Sequence, residues 1–209
     1  MVVWYGDDIR KQLPKTLSEK DIEESVALTK KLGDRLAKRP PTKVGVFSYR
    51  ISTNKIHPGN PIQLEIQDTQ NNRIATFGFY VQSEGGEAKL VVNHVQGVRG
   101  KQEELGTLSR QVGENWRVWL VKRIKRVAAT SKVRIAGSLP PLFFLIGAGA
   151  SPQAYKRYVR QYKQTFRKAG ITDIQTHKIS PYGQKDRDFW RELKAKETQA
   201  DWCKRHHLK

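Results

Sequence analysis

Four short apolar-alternating segments, separated by turn residues, dominate residues 43–98. "KVGVFSYRIS" places Val44 and Val46 on one side, with Tyr49 or Ile51 continuing the row. "PIQLEIQD" alternates through Ile62, Leu64 and Ile66, and the Asn71–Asn72 pair follows as a turn signal. "RIATFGFYVQS" comes next, then the glycine turn "EGGE", then "AKLVVNHVQGV". Side chains alternate across a strand, so each segment offers one apolar face. Segments joined this closely pair with their neighbours, which predicts an antiparallel meander.

Helical periods flank the meander. "LSEKDIEESVALTKKLGDRLAKRPP" repeats Ile22, Val26, Thr29, Leu32 and Leu36 at helical spacing. Ser18 is its N-cap, and Pro40 and Pro41 stop it. A second helix is expected over roughly Glu114 to Thr130, with Trp116, Leu120, Ile124 and Val127 on one face. "KVRIAGSL" reads as a short strand. A third helix begins at Ser151–Pro152, buries Tyr155, Tyr158 or Val159, Tyr162 and Phe166, and ends at Gly170. "TDIQTHKIS" is the last strand. The order predicts one mixed α/β, or α+β, domain over residues 1–180. Strands around the later helices would pair in parallel through crossovers. Residues 181–209 form a basic C-terminal extension in which "DRDFWRELKAKETQADW" has helical spacing.

Composition narrows the partner. The chain holds 39 Lys and Arg against 20 Asp and Glu, a formal charge of +19. Such an excess calls for a polyanion or a strongly basic surface. The excess is local: thirteen Lys and Arg and no acid lie between Asn115 and Gly170. Helices in this span have no internal i,i+4 ion pairs, and a bound polyanion relieves their repulsion. Lys122, Arg123, Arg126, Arg157, Arg160, Lys163 and Arg167 are the candidate nucleic-acid contacts. The single Cys203 forms no intramolecular disulfide, no metal-ligand pattern stands out, and the setting expected is cytoplasmic. The longest apolar run, Leu139 to Ala150, is too short for a membrane span and contains prolines.

Two glycine turns carry the remaining chemistry. "RQVGEN" sets Arg110, Gly113, Asn115, Trp116 and Arg117 at the start of the second helix. Free N–H groups there would attract a phosphate, and a glycine lets it approach. The plain alternative is an ordinary helix start. "VQGVRGK", from Gln96 to Lys101, is either an anion-binding nest or a strand-end turn. His94, in a strand, is a candidate base or a hydrogen-bonded structural histidine.

The element order, with Arg110, Gly113 and Asn115 in "RQVGEN" and the "YKQTFRKAGI" ending of the third helix, resembles the GNAT N-acyltransferase superfamily. The resemblance implies acyl-CoA as cofactor, its pyrophosphate on the helix start from Arg110 to Arg117. It implies transfer of the acyl group to an amine, with His94 as base and Tyr162 or Tyr182 as the proton donor to the leaving thiolate. Asn115 stands where that family has Gly or Ala, Glu114 adds a negative charge, and Phe166 lacks a hydroxyl. These departures favour the alternative of a non-enzymatic RNA- or DNA-binding module on the same scaffold.

Overall fold

The computed structural model describes residues 9–10, 13–14, 16–51, 61–139 and 152–175. Within them the chain is an α+β fold of four helices and a seven-stranded mixed sheet. The strands are β1 (Thr42–Val44), β2 (Phe47–Ile51), β3 (Ile62–Gln67), β4 (Arg73–Glu84), β5 (Glu87–Gly97), β6 (Arg134–Ser138) and β7 (Ile174–Gln175). They lie side by side in chain order. β1 to β5 pair antiparallel, whereas β5–β6 and β6–β7 are parallel. The helices are α1 (Glu19–Ala37), α2 (Gln102–Val112), α3 (Trp116–Thr130) and α4 (Pro152–Lys168).

The meander and the parallel strands match expectation, with two differences. The segment 43–52 does not form one strand. Val44 pairs with Phe47 across a two-residue loop, Gly45–Val46, in which Gly45 takes φ +57°. A glycine at the first loop position fits the twist of a tight hairpin. Val46, expected inward, is therefore 52% exposed. The second difference is α2, a helix where a connecting segment was expected; Leu105 and Leu108 tie it to the core.

The two faces of the sheet carry separate cores. Phe77, Phe79, Leu90 and Val92 pack with Leu120, Ile124 and Phe166 from α3 and α4. Tyr80, Val91 and Ala136 pack on the other face with Ile9, Leu13 and Leu17. α1 straddles the boundary: Leu32 and Leu36 join the first core, Ile22 and Val26 the second.

α1 also serves the edge of β4. Among the described residues, no strand pairs with β4 beyond Phe79 on the β3 side. The Thr29 hydroxyl accepts from Val81 N at 2.9 Å and donates to Val81 O at 3.1 Å. Ser25 Oγ accepts from Ser83 N at 2.8 Å. Two small hydroxyl residues one turn apart thus satisfy buried backbone groups that would otherwise be orphaned. Thr29→Val keeps the shape and removes the hydroxyl. It should destabilise the protein by about 1–3 kcal/mol in urea denaturation, with Thr29→Ser close to wild type. A neutral Thr29→Val would mean that the edge is satisfied in another way.

Candidate functional site

"RQVGEN" is the joint between two helices. Arg110 lies exposed in the last turn of α2, its Nη2 donating to Thr107 Oγ1 at 2.8 Å. Gly113 caps α2 in the left-handed region, φ +72°, its N–H on the Arg110 carbonyl at 3.3 Å. A residue there wants no Cβ, which is the common reason for a glycine just past a helix. Asn115 is the N-cap of α3 and accepts from Arg117 N at 3.0 Å. Trp116 N donates to Ser109 Oγ at 3.3 Å. Glu114 is ion-paired with Lys122 at 2.7 Å. Two of the N–H groups that would cradle an anion already have acceptors from the chain itself, and the carbonyl end of α2 faces the same joint.

The second glycine turn is similarly occupied. Gly97 ends β5, where an added Cβ would lie 2.5 Å from Leu105 Cδ1, so its smallness serves the packing of α2. Lys101 donates to Glu104 at 2.7 Å and is 3.7 Å from Asp68. The hydrogen bond to Glu104 holds its ammonium pKa above the usual value.

β5 and β6 part beside this joint. Their pairing ends at Val92 and Gly137, while β5 runs on to Gly97. A bulge at Asn93 shifts the register of β5 against β4. α4 fills the opening: the Tyr162 hydroxyl, 3% exposed as a residue, accepts from Val95 N at 2.8 Å. Tyr158 lies 5.1 Å from the Tyr162 ring, and Phe166 meets Tyr162 edge-on at 5.8 Å. Burial pushes the Tyr158 and Tyr162 hydroxyls above the usual tyrosine value. Arg117 sits 4.4 Å over the Trp116 ring, and burial lowers its pKa. Trp116, Arg117 and Tyr162 thus come together.

His94 is elsewhere. It is half-buried on the opposite face of the sheet, its Nε2 3.0 Å from Thr76 Oγ1. Thr76 stands opposite Glu65 in the β3–β4 register. Glu65 accepts from Arg50 Nε at 3.1 Å and Gln67 Nε2 at 3.2 Å. Gln63, Glu65, Gln67 and Thr76 are 5%, 7%, 7% and 3% exposed, so this polar row is buried. Sequence reasoning missed the row, because polar residues alternating with apolar ones normally mark a solvated face. Tyr182, His177 and residues 181–209 lie outside the described residues. Among those described, no group of His, Cys, Asp and Glu could hold a metal ion, and no helix is long and apolar enough to cross a membrane.

The basic residues divide into partnered and free. Lys122 is neutralised by Glu114, and Lys125 Nζ donates to the Gly170 carbonyl at 2.8 Å, capping the end of α4. Arg123 and Arg126 are exposed on α3. On α4, Lys156, Arg157, Arg160, Lys163, Arg167 and Lys168 are all exposed. None of these eight is in an ion pair among the described residues. Lys156, Arg160, Lys163 and Arg167 recur at helical spacing and form one stripe. It runs for about 16 Å along the helix, on the side turned away from the buried Tyr162 and Ala169. In comparisons with known proteins, no family model, curated protein or solved structure matches the chain.

Proposed function

We propose that the chain binds nucleic acid through the cationic stripe of α4, on a GNAT-like scaffold in a cytoplasmic setting. The observation that carries this reading is the row of Lys156, Arg160, Lys163 and Arg167 with no ion pair among the described residues. Like charges one turn apart destabilise a helix by a few tenths of a kcal/mol per pair. A phosphate backbone removes that repulsion and releases counterions as it binds. Apart from Gln153, Gln161 and Gln164, α4 carries no side-chain amide or carboxylate, so contact is expected with phosphates more than with base edges.

Arg160→Gln, Lys163→Gln and Arg167→Gln together form the test. Fluorescence anisotropy with a short RNA strand and a short DNA duplex would be read at several salt concentrations. Loss of three phosphate contacts should flatten the slope of log K against log salt by about 2–3. An unchanged slope and affinity would rule out α4 as the contact surface.

Acyl transfer to an amine is the second reading, favoured by the parting of β5 and β6 and the bulge at Asn93. In it acyl-CoA would lie at Arg110, Gly113, Asn115, Trp116 and Arg117, with Tyr162 or Tyr182 as acid; His94, on the opposite face of the sheet, would not reach this site as base. Tyr162 would first have to release Val95 N, which it now holds. Acetyl-CoA titration with Gly113→Glu as control separates the two readings: saturable binding lost in the variant supports acyl transfer.

A further inference from the structure

A cavity of about 370 Å³ lies between the end of α1, strands β1 to β3 and the C-terminal half of α3. Its floor is aliphatic and aromatic: Leu36, Leu64, Phe79, Leu120 and Ile124, with Tyr49 at one side. Its rim carries Arg39, Arg123 and Arg126, all exposed. A fourth lining arginine, Arg50, has its Nε on Glu65. No Asp or Glu is among the described lining residues, and the uncharged hydroxyls are those of Thr42, Tyr49 and Thr130.

The rim is partly preorganised. Arg123 lies 5.2 Å from the centre of the Trp119 ring, and Trp119 packs edge-on against Tyr49 at 5.8 Å. Arg126 follows one helical turn later. Arg39 comes directly after the C-cap of α1, its N–H on the Leu36 carbonyl at 3.1 Å. The C-termini of α1 and α3 each bring about half a negative charge to this region. Against three guanidinium charges that leaves the rim near +2. Long cationic side chains do lie along apolar surface for packing alone. Three around one concave apolar floor, with no described acid among them, go beyond that.

From this cavity we infer a binding site for a single-chain amphiphile with a carboxylate head, a fatty acid in chemical class. The volume lies in the range of small-molecule sites. The floor offers an aliphatic tail dry contact, which is where most of its affinity would come from. Guanidinium groups pair with carboxylates in fork geometry, fixing the head at the rim. A nucleobase would find few groups on the floor to satisfy its edges. The site is separate from the α4 stripe, so either proposal can fail alone.

The test is calorimetric titration with dodecanoate, dodecyl phosphate and dodecanol, each below its aggregation concentration. Dodecanoate should bind saturably and dodecanol about tenfold more weakly, since the alcohol forgoes the charged pair. Tighter binding of dodecyl phosphate than of dodecanoate would overturn the carboxylate assignment in favour of a phosphate head. Leu64→Trp fills the floor without changing a charge and should abolish dodecanoate binding. Val127→Phe, at the half-buried edge of the cavity, is the second filling variant should Leu64→Trp fail to fold. Arg123→Gln with Arg126→Gln should weaken dodecanoate and leave dodecanol unchanged. No binding of any probe, equal binding of acid and alcohol, or full binding to a folded filling variant would each overturn the inference. The filling variants should bind RNA and DNA like the wild type, which distinguishes this site from α4.

Discussion

Phe166→Ala is expected to remove about 3–5 kcal/mol of stability, a large part of what a domain of this kind has. Phe166 is fully buried and meets Tyr162 edge-on at 5.8 Å. It also packs directly against β6: a Cβ built on Gly137 would be 2.5 Å from Phe166 Cδ2 and 2.6 Å from Cε2. The glycine in "RIAGS" therefore makes room for the ring. Gly137→Ala alone should cost about 1–3 kcal/mol, because the ring has buried neighbours and cannot swing away. Combining Gly137→Ala with Phe166→Leu should cost less than the sum of the two, by at least about 0.5 kcal/mol. Urea denaturation followed by tryptophan fluorescence gives all four values. Additive values would mean that α4 does not rest on β6 through this pair. The same contact fixes α4 on the sheet, and the cationic stripe lies about a quarter-turn round the helix from Phe166.

Much of this arrangement is legible in the residues themselves. The spacing of Tyr158, Tyr162 and Phe166, closed by Gly170, marks both the buried face of α4 and its end. Trp116, Leu120 and Ile124 do the same for α3. The meander follows from alternation and turn residues. α2 was not legible because its apolar face is short: Leu105 and Leu108 are its buried positions, and Gly106 lowers its helix propensity. Without that helix, Gly113 looks like a loop glycine ahead of a helix, whereas it ends one and Asn115 begins the next. The β1–β2 hairpin was hidden because Val44 and Val46 continue an alternating pattern straight through the turn. The buried row of Gln63, Glu65 and Gln67 depends on what covers that face, which no local pattern encodes. The cavity is likewise invisible: Arg39, Tyr49, Leu64 and Arg123 are brought together by topology alone.

Above pH 10 the protein should lose stability steeply, and two tyrosines should account for much of the loss. Tyr80 is fully buried among Val91, Ala136, Ile9, Leu13 and Leu17, and burial raises its pKa far above the ordinary value. Burial does the same to Tyr162, which reaches from α4 to β5. In the unfolded chain both hydroxyls ionise near pH 10. Below that pH both states hold the proton, and these groups add no pH dependence. Above it the unfolded state releases protons that the folded state keeps, so stability falls as pH rises until the folded pKa is reached. Each such tyrosine contributes about 1.4 kcal/mol per pH unit, and the two together about 2.7. Lysines also lose charge in this range, which lessens the repulsion of a chain at +19 and works in the opposite direction. Tyr80→Phe and Tyr162→Phe isolate the effect, because lysine titration is common to every variant. Tyr162→Phe also leaves Val95 N without its acceptor and should be less stable at every pH by about 1–3 kcal/mol. Its slope above pH 10 should nevertheless be shallower than wild type. Urea midpoints at pH 9, 10 and 11 measure both quantities, and parallel slopes in wild type and the double variant would show that neither hydroxyl is held neutral by the fold.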